Sequence, residues 1–208
     1  MKVRRLGVFG GTFDPIHSGH LVAAVSVQTA LELDYLIFVP TGHSWHKDPG
    51  PEASSEDRLA MVDLAIANHE GFTTSSVDIE RDGPTYTIDT LTDLQDQWEH
   101  DQPDTEAVWF FVTGADALVD VPNWRDPAGI LHRARLVGVT RPGHAPPSSS
   151  LLNGEFTLVE VATPDVASRQ IRELVRAGQS IEHLVPAAVA DYISSHGLYR
   201  ETEPALHE

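Results

Sequence analysis

The chain has 208 residues, long for one average domain and short for two, so a single large domain with its own apolar core is expected. It contains no cysteine, which excludes disulfides, thiolate metal sites and cysteine nucleophiles. Thirty-one acidic residues against 14 Lys and Arg give a formal net charge of -17, a surface that repels a nucleic-acid polymer but still allows a small phosphorylated ligand in a local positive pocket.

The first predicted element is a strand over residues 3–9. Its apolar run follows a basic start, is too short for a signal peptide and ends in Gly10-Gly11-Thr12. Residues 19–33 are apolar nearly all round, as in a helix packed on a sheet. A second strand is predicted over 35–39, followed by a Gly-, Pro- and His-rich loop over 41–53. That loop carries Lys47, one of only two lysines in the chain. Residues 54–68 open with Ser-Ser-Glu-Asp, cap and first-turn acids together, and set Leu59, Val62 and Ile66 on one helical face. Residues 73–79 form a weaker strand candidate, and 87–98 a helix with Ile88, Leu91, Leu94 and Trp98. Strands follow at 107–112 and 135–140, then a Pro- and Ser-rich surface excursion over 142–154 and a last strand over 156–161. Helices over 166–177 and 186–196 stop at Gly178 and Gly197. This alternation predicts an α/β fold, a doubly wound parallel sheet with helices on both faces, in one domain over 1–200. Residues 201–208 read as a disordered polar tail. No segment approaches the ~20 apolar residues of a membrane span, so the cytosol is the expected compartment and no membrane partner is expected.

Ligands of such sheets bind at the carboxyl ends of the strands, and the chemistry-bearing motifs stand there. The first strand runs into Gly10-Gly11-Thr12-Phe13-Asp14-Pro15-Ile16-His17-Ser18-Gly19-His20. Two glycines after a strand let the backbone approach a ligand closely and expose N–H groups. A helix starting near Ser18 points its N-terminus at the same place, which makes a phosphate site. His17 and His20, three apart, can face one side of the first turn and donate hydrogen bonds to phosphate oxygens. The same pair could hold a metal, but zinc usually takes further His, Cys or carboxylate ligands and none is obviously placed. A purely structural pair is the third reading. Neither the Walker loop nor the G-x-G-x-x-G fingerprint occurs.

Residues 10–20 resemble the signature of nucleotidylyltransferases of the HxGH type, here His17-Ser18-Gly19-His20. Later segments resemble, within that group, the bacterial nicotinate mononucleotide adenylyltransferases. These are the loop ending in His46-Lys47, the Pro84-Thr85-Tyr86-Thr87 turn, and Gly114-Ala115-Asp116. Trp124, Arg141-Pro142-Gly143 and the ending Gly197-Leu198-Tyr199-Arg200 complete the set. The resemblance covers about residues 1–200 and implies a Rossmann-like fold that joins ATP and nicotinate mononucleotide with release of pyrophosphate. It implies catalytic roles for His17, His20, Lys47 and Arg172. It places ATP on Gly10, Gly11, Thr12, Phe13, His17, His20, Gly114, Asp116, Arg141, Ser168 and Arg172. The mononucleotide falls to Lys47, Thr85, Tyr86, Thr87, Trp124 and Arg125. Mg2+ is expected to travel with ATP, with no protein metal site of its own. The oligomeric state, monomer or homo-oligomer, stays open.

One segment departs from the family pattern. Where relatives carry Ile-Ser-Ser-Thr-x-x-Arg at a helix start, this chain has Val166-Ala167-Ser168-Arg169-Gln170-Ile171-Arg172. Ser168 and Arg172 keep their places, while a hydroxyl is lost at Ala167. Arg169 either compensates by reaching the triphosphate or points to solvent. Three other readings remain: nicotinamide mononucleotide as the acceptor, another nucleotidylyltransferase, and a nucleotide-sensing protein with weak catalysis.

Overall fold

The computed structural model describes residues 2–42, 50–140, 156–162 and 164–200. Lys47, Arg141, the surface excursion at 142–154 and the tail at 201–208 lie outside the described residues. Six strands form one parallel sheet: β1 (Lys2–Gly11), β2 (Tyr35–Pro40), β3 (Phe72–Thr74), β4 (Thr105–Gly114), β5 (Arg135–Thr140) and β6 (Phe156–Glu160). Their order is β3-β2-β1-β4-β5-β6. The chain winds outward from β1 in one direction, then returns to lay β4 on its other side. Strand order reverses between β1 and β4, the place where sheets of this kind bind their ligands at the carboxyl ends.

Alternation along the strands separates two cores, because successive side chains point to opposite faces. Phe9, Phe38, Phe110, Val112 and Val137 pack on one face with α1 (Ser18–Ala30), α2 (Ser55–Ile66), α6 (Ser168–Arg176) and α7 (Ala187–Ser195). Leu6, Val8, Trp109, Phe111 and Leu136 pack on the other. That face is covered by α3 (Val77–Glu80), α4 (Thr87–Asp101), a 3-10 helix (Ala117–Asn123) and α5 (Pro127–Arg133). The expected doubly wound α/β sheet is therefore the fold. No helix among the described residues is long and apolar enough to cross a membrane.

Local expectations fail in three instructive places. The weak strand at 73–79 survives only as Phe72–Thr74. Ser76 then turns the chain into α3 by accepting the Ile79 and Glu80 N–H groups on its carbonyl. Helix α1 is not buried all round: Gly19, Ala23, Ala24 and Val27 face the core, while Val22 and Val25 stand in solvent. In α2 the buried stripe is Arg58, Met61, Val62, Ala65 and Ile66, so an arginine occupies a core position and Leu59 does not. The 3-10 helix and α5 were not expected. Asp126, at a left-handed φ of 49°, caps α5 by accepting the Gly129 N–H at 3.0 Å.

Candidate active site

Strand register brings the two glycine pairs together. Phe9 lies beside Val112 in the β1–β4 ladder, so Gly10 and Gly11 continue next to Thr113 and Gly114 at the reversal. Space there is tight: a Cβ on Gly10 would stand 3.3 Å from the Phe111 ring. The loop after Gly11 bends through Phe13, whose φ is 50° and whose ring is buried against Phe9 and Phe38. Phe13 therefore anchors the loop in the core, and what it offers a ligand is backbone.

His17 caps the start of α1 and His20 stands one turn further on. Their rings stack at 3.7 Å with 21° between planes, and the Phe13 ring meets His20 edge-on at 5.1 Å. The His17 N–H donates to His20 Nδ1 at 3.2 Å. An imidazole whose Nδ1 accepts carries its proton on Nε2, so His20 is held as an Nε2–H donor at the helix N-terminus. Gly19 keeps the packing between them close: a Cβ there would lie 3.1 Å from both the His17 ring and Val166.

Arg58 joins the exits of the first two strands. It is 1% exposed, its Nη1 donates to the Thr12 carbonyl at 2.7 Å, and its Nη2 to the Gly42 carbonyl at 3.4 Å. Gly42 in turn lies against the Asp78 carbonyl and Thr85 Oγ1, with no room for a side chain. Thr85 Oγ1 is buried with no hydrogen-bond partner among the described residues. Beyond it, Tyr86 and Thr87 open α4, and the N-cap residue supplies no capping side chain. Arg125 lies over the Tyr86 ring at 4.8 Å and donates to Asp89 at 3.1 Å. Trp124 meets Phe111 edge-on at 6.0 Å. A chain of contacts thus links the histidine loop with the start of α4, by Gly42 on one side and by Phe111 and Trp124 on the other.

At the start of α6, Ala167 leaves the helix N-terminus without a side-chain cap. Ser168 Oγ donates to the Pro15 carbonyl at 2.9 Å, and Arg172 donates to the Asp14 carbonyl at 2.7 Å and to Glu52 at 2.8 Å. Arg169 does neither: it pairs with Glu173, and its side chain is 84% exposed. Asp116 is exposed at the start of the 3-10 helix, next to Gly114. Ser168 and Arg172 of α6 are thus bonded to the histidine loop, Gly114 lies beside that loop in the β1–β4 register, and Tyr86 and Arg125 stand together at the start of α4. Sequence reasoning missed the supports Asp14, Glu52 and Tyr199. Arg58 and Met61 match the family pattern in α2, and their place on the buried stripe with residues 62, 65 and 66 follows from helical spacing.

A parallel sheet of this order, with a glycine-flanked first strand and a histidine pair at a helix N-terminus, is the arrangement expected from the HxGH resemblance, that of a nucleotidyltransferase. The cytidylyltransferase-like family model matches residues 8–174. A probable nicotinate-nucleotide adenylyltransferase of Acidothermus cellulolyticus is 46% identical over 200 residues, covering 96% of each chain. Another, of Leifsonia xyli, is 45% identical over 196 residues, covering 94% of each. The chain belongs to the cytidylyltransferase-like family and stands within it among the nicotinate-nucleotide adenylyltransferases. Its fold is shared with the nicotinic acid mononucleotide adenylyltransferase of Plasmodium falciparum complexed with APC, at a TM-score of 0.70 and 19% identity, covering 94% of this chain and 97% of that one. A putative nicotinate-nucleotide adenylyltransferase of Vibrio parahaemolyticus gives 0.66 at 20% identity, covering 97% and 98%.

Proposed function

We propose that this protein transfers the adenylyl group of ATP to nicotinate mononucleotide, giving nicotinate adenine dinucleotide and pyrophosphate for NAD biosynthesis. The observation that carries the reading is the His17–His20 pair at the N-terminus of α1, set against Gly10 and Gly11 at the strand-order reversal. A phosphate oxygen of the mononucleotide attacks the α-phosphorus of ATP, the bond from that phosphorus to the bridging oxygen breaks, and pyrophosphate leaves with the electron pair. The nucleophile is already an anion, so no general base is required. Catalysis consists of positioning and charge stabilisation. His17, His20, Arg172 and the open N-terminus of α6 take the triphosphate, and Ser168 fixes α6 to the loop. The resemblance further assigns Lys47 to the triphosphate, and Gly114, Asp116 and Arg141 to the nucleoside. Mg2+ supplies countercharge to the phosphates when bound. Asp14 has both carboxylate oxygens engaged by Glu52, Ala53 and Tyr199, so an ion travelling with ATP would be held chiefly by the phosphates it neutralises.

The acceptor is chosen along α4. Nicotinate carries a carboxylate where nicotinamide carries a neutral amide. The N-terminus of α4, with no side-chain cap at Tyr86, favours the anion, and the Thr85 hydroxyl, buried and without a partner among the described residues, can donate to it. Tyr86, Thr87, Trp124 and Arg125 line this side, with Trp124 offering a flat face to the pyridine ring. Pyrophosphate release, measured with each mononucleotide in turn, tests the proposal. The kcat/KM for nicotinate mononucleotide is expected to exceed that for nicotinamide mononucleotide by about tenfold or more, which corresponds to about 1.4 kcal/mol. Equal values overturn the assigned acceptor, and no release with either overturns the reaction.

A further inference from the structure

Asp14 closes a set of contacts that the reaction itself does not use. It is 4% exposed, and its side chain lies where three distant parts of the chain meet. One carboxylate oxygen accepts the Glu52 N–H at 2.8 Å. The other accepts the Ala53 N–H at 3.1 Å and the Tyr199 hydroxyl at 2.9 Å. Its own carbonyl receives Arg172 at 2.7 Å, and the next carbonyl, of Pro15, receives Ser168 at 2.9 Å. The position of α6 relative to the histidine loop is therefore set at residues 14 and 15. Tyr199 is the remote end of this arrangement, 185 positions along the chain and 7% exposed. Burial and the Asp14 charge push its hydroxyl far above the ordinary tyrosine range, so it stays a donor at every working pH.

We infer that Tyr199 is a positioning residue for ATP: its hydroxyl bond to Asp14 holds residues 14 and 15 in place, and with them the Arg172 guanidinium and the entry to the His17 turn. The inference rests on the ATP role of His17, His20 and Arg172 proposed above. A buried carboxylate that loses a donor takes a replacement from its surroundings. Arg172 Nη1 already lies 3.6 Å from Asp14 Oδ2, near enough to turn from the carbonyl to the carboxylate. That turn draws the guanidinium away from the triphosphate. The loop keeps a second anchor in the bond from Arg58 to the Thr12 carbonyl, so it shifts rather than unfolds.

Tyr199→Phe removes the hydroxyl and keeps the ring. The dissociation constant for ATP by calorimetry and the KM for ATP are expected to rise about fivefold or more, with the KM for the mononucleotide changing less than about twofold. Purely structural damage would instead lower the active fraction, and so kcat, with Kd and both KM values in place. Tyr192→Phe is the control. It makes the same chemical change in the same C-terminal region, but that hydroxyl donates to Asp57 at 2.9 Å rather than to Asp14, and ATP binding is expected to stay at the wild-type value. Should Tyr199→Phe not fold, Asp14→Asn carries the test, because its amide cannot accept both backbone N–H groups, and ATP binding is again expected to weaken. Unchanged ATP affinity in the variant that folds overturns the inference, as does an equal loss in Tyr192→Phe. Wild-type protein that binds no ATP overturns the ATP reading itself, an outcome distinct from ATP binding indifferent to Tyr199.

Discussion

His20 is held as a donor by its neighbours on three sides. The His17 main chain occupies Nδ1, the His17 ring covers one face, and the edge of Phe13 fixes the tilt. A donor held in place before charge develops costs no reorganisation in the transition state. His20→Ala is therefore expected to lower kcat for pyrophosphate release by about a hundredfold or more. The residue is only half-buried at the end of a helical turn, so the circular dichroism spectrum and Tm are expected to stay near wild type. A folded variant turning over at the wild-type rate removes His20 from the chemistry. The motif was fully legible in the sequence, because spacing along one turn sets which side chains meet. The tautomer was not, because it depends on a main-chain bond that only coordinates reveal.

At the scale of the element, α6 decides what the departure at Ala167 means. Arg169 and Arg172 are three apart, close enough for both to reach one ligand by spacing alone. The packing separates them. Arg172 is 19% exposed and turned onto the Asp14 carbonyl, whereas Arg169 runs outward to Glu173. The compensating role open to Arg169 from sequence thus goes unsupported, and solvent is where its side chain lies. Arg169→Ala is expected to leave the KM for ATP within about twofold, in line with an exposed ion pair. Arg172→Ala is expected to raise it about tenfold, as for a lost hydrogen bond to a charged group. Steady-state kinetics at varied ATP separates the two, and a larger effect at Arg169 than at Arg172 reverses the assignment.

Across the whole molecule, Glu52 ties the segment after β2 to α6, pairing with both Arg172 and Arg176. Burial acts to raise its carboxyl, but the bonds from Arg176 and Arg172 outweigh it and hold the group below its ordinary value of 4.5. A depressed carboxyl contributes stability above the value of the unfolded chain and loses it as the pH falls through the folded one. The Tm difference between wild type and Glu52→Gln is therefore expected to be largest near neutrality and to close as the pH drops below about 4.5. Thermal melts across that range check this, and a gap that widens in acid contradicts it.

By itself the sequence determined the fold class, five of the six strands and the placement of the histidine loop. Apolar periodicity and glycine punctuation are local properties, and a parallel doubly wound sheet puts its ligand at the strand ends. By resemblance the sequence also assigned Thr85, Tyr86 and Trp124 to the acceptor side; Tyr86 stands at the N-cap of α4 and Trp124 lies against Phe111. Only the tertiary structure decided the length of β3, the fate of Arg169 and the inner supports of the site. Asp14 and Tyr199 are 185 positions apart, and Arg172 and Glu52 are 120 apart. No local pattern encodes such bonds. A buried carboxylate takes whichever donors the packed chain brings within reach, and that set exists only once α6 and the chain beyond α7 have closed over the first loop.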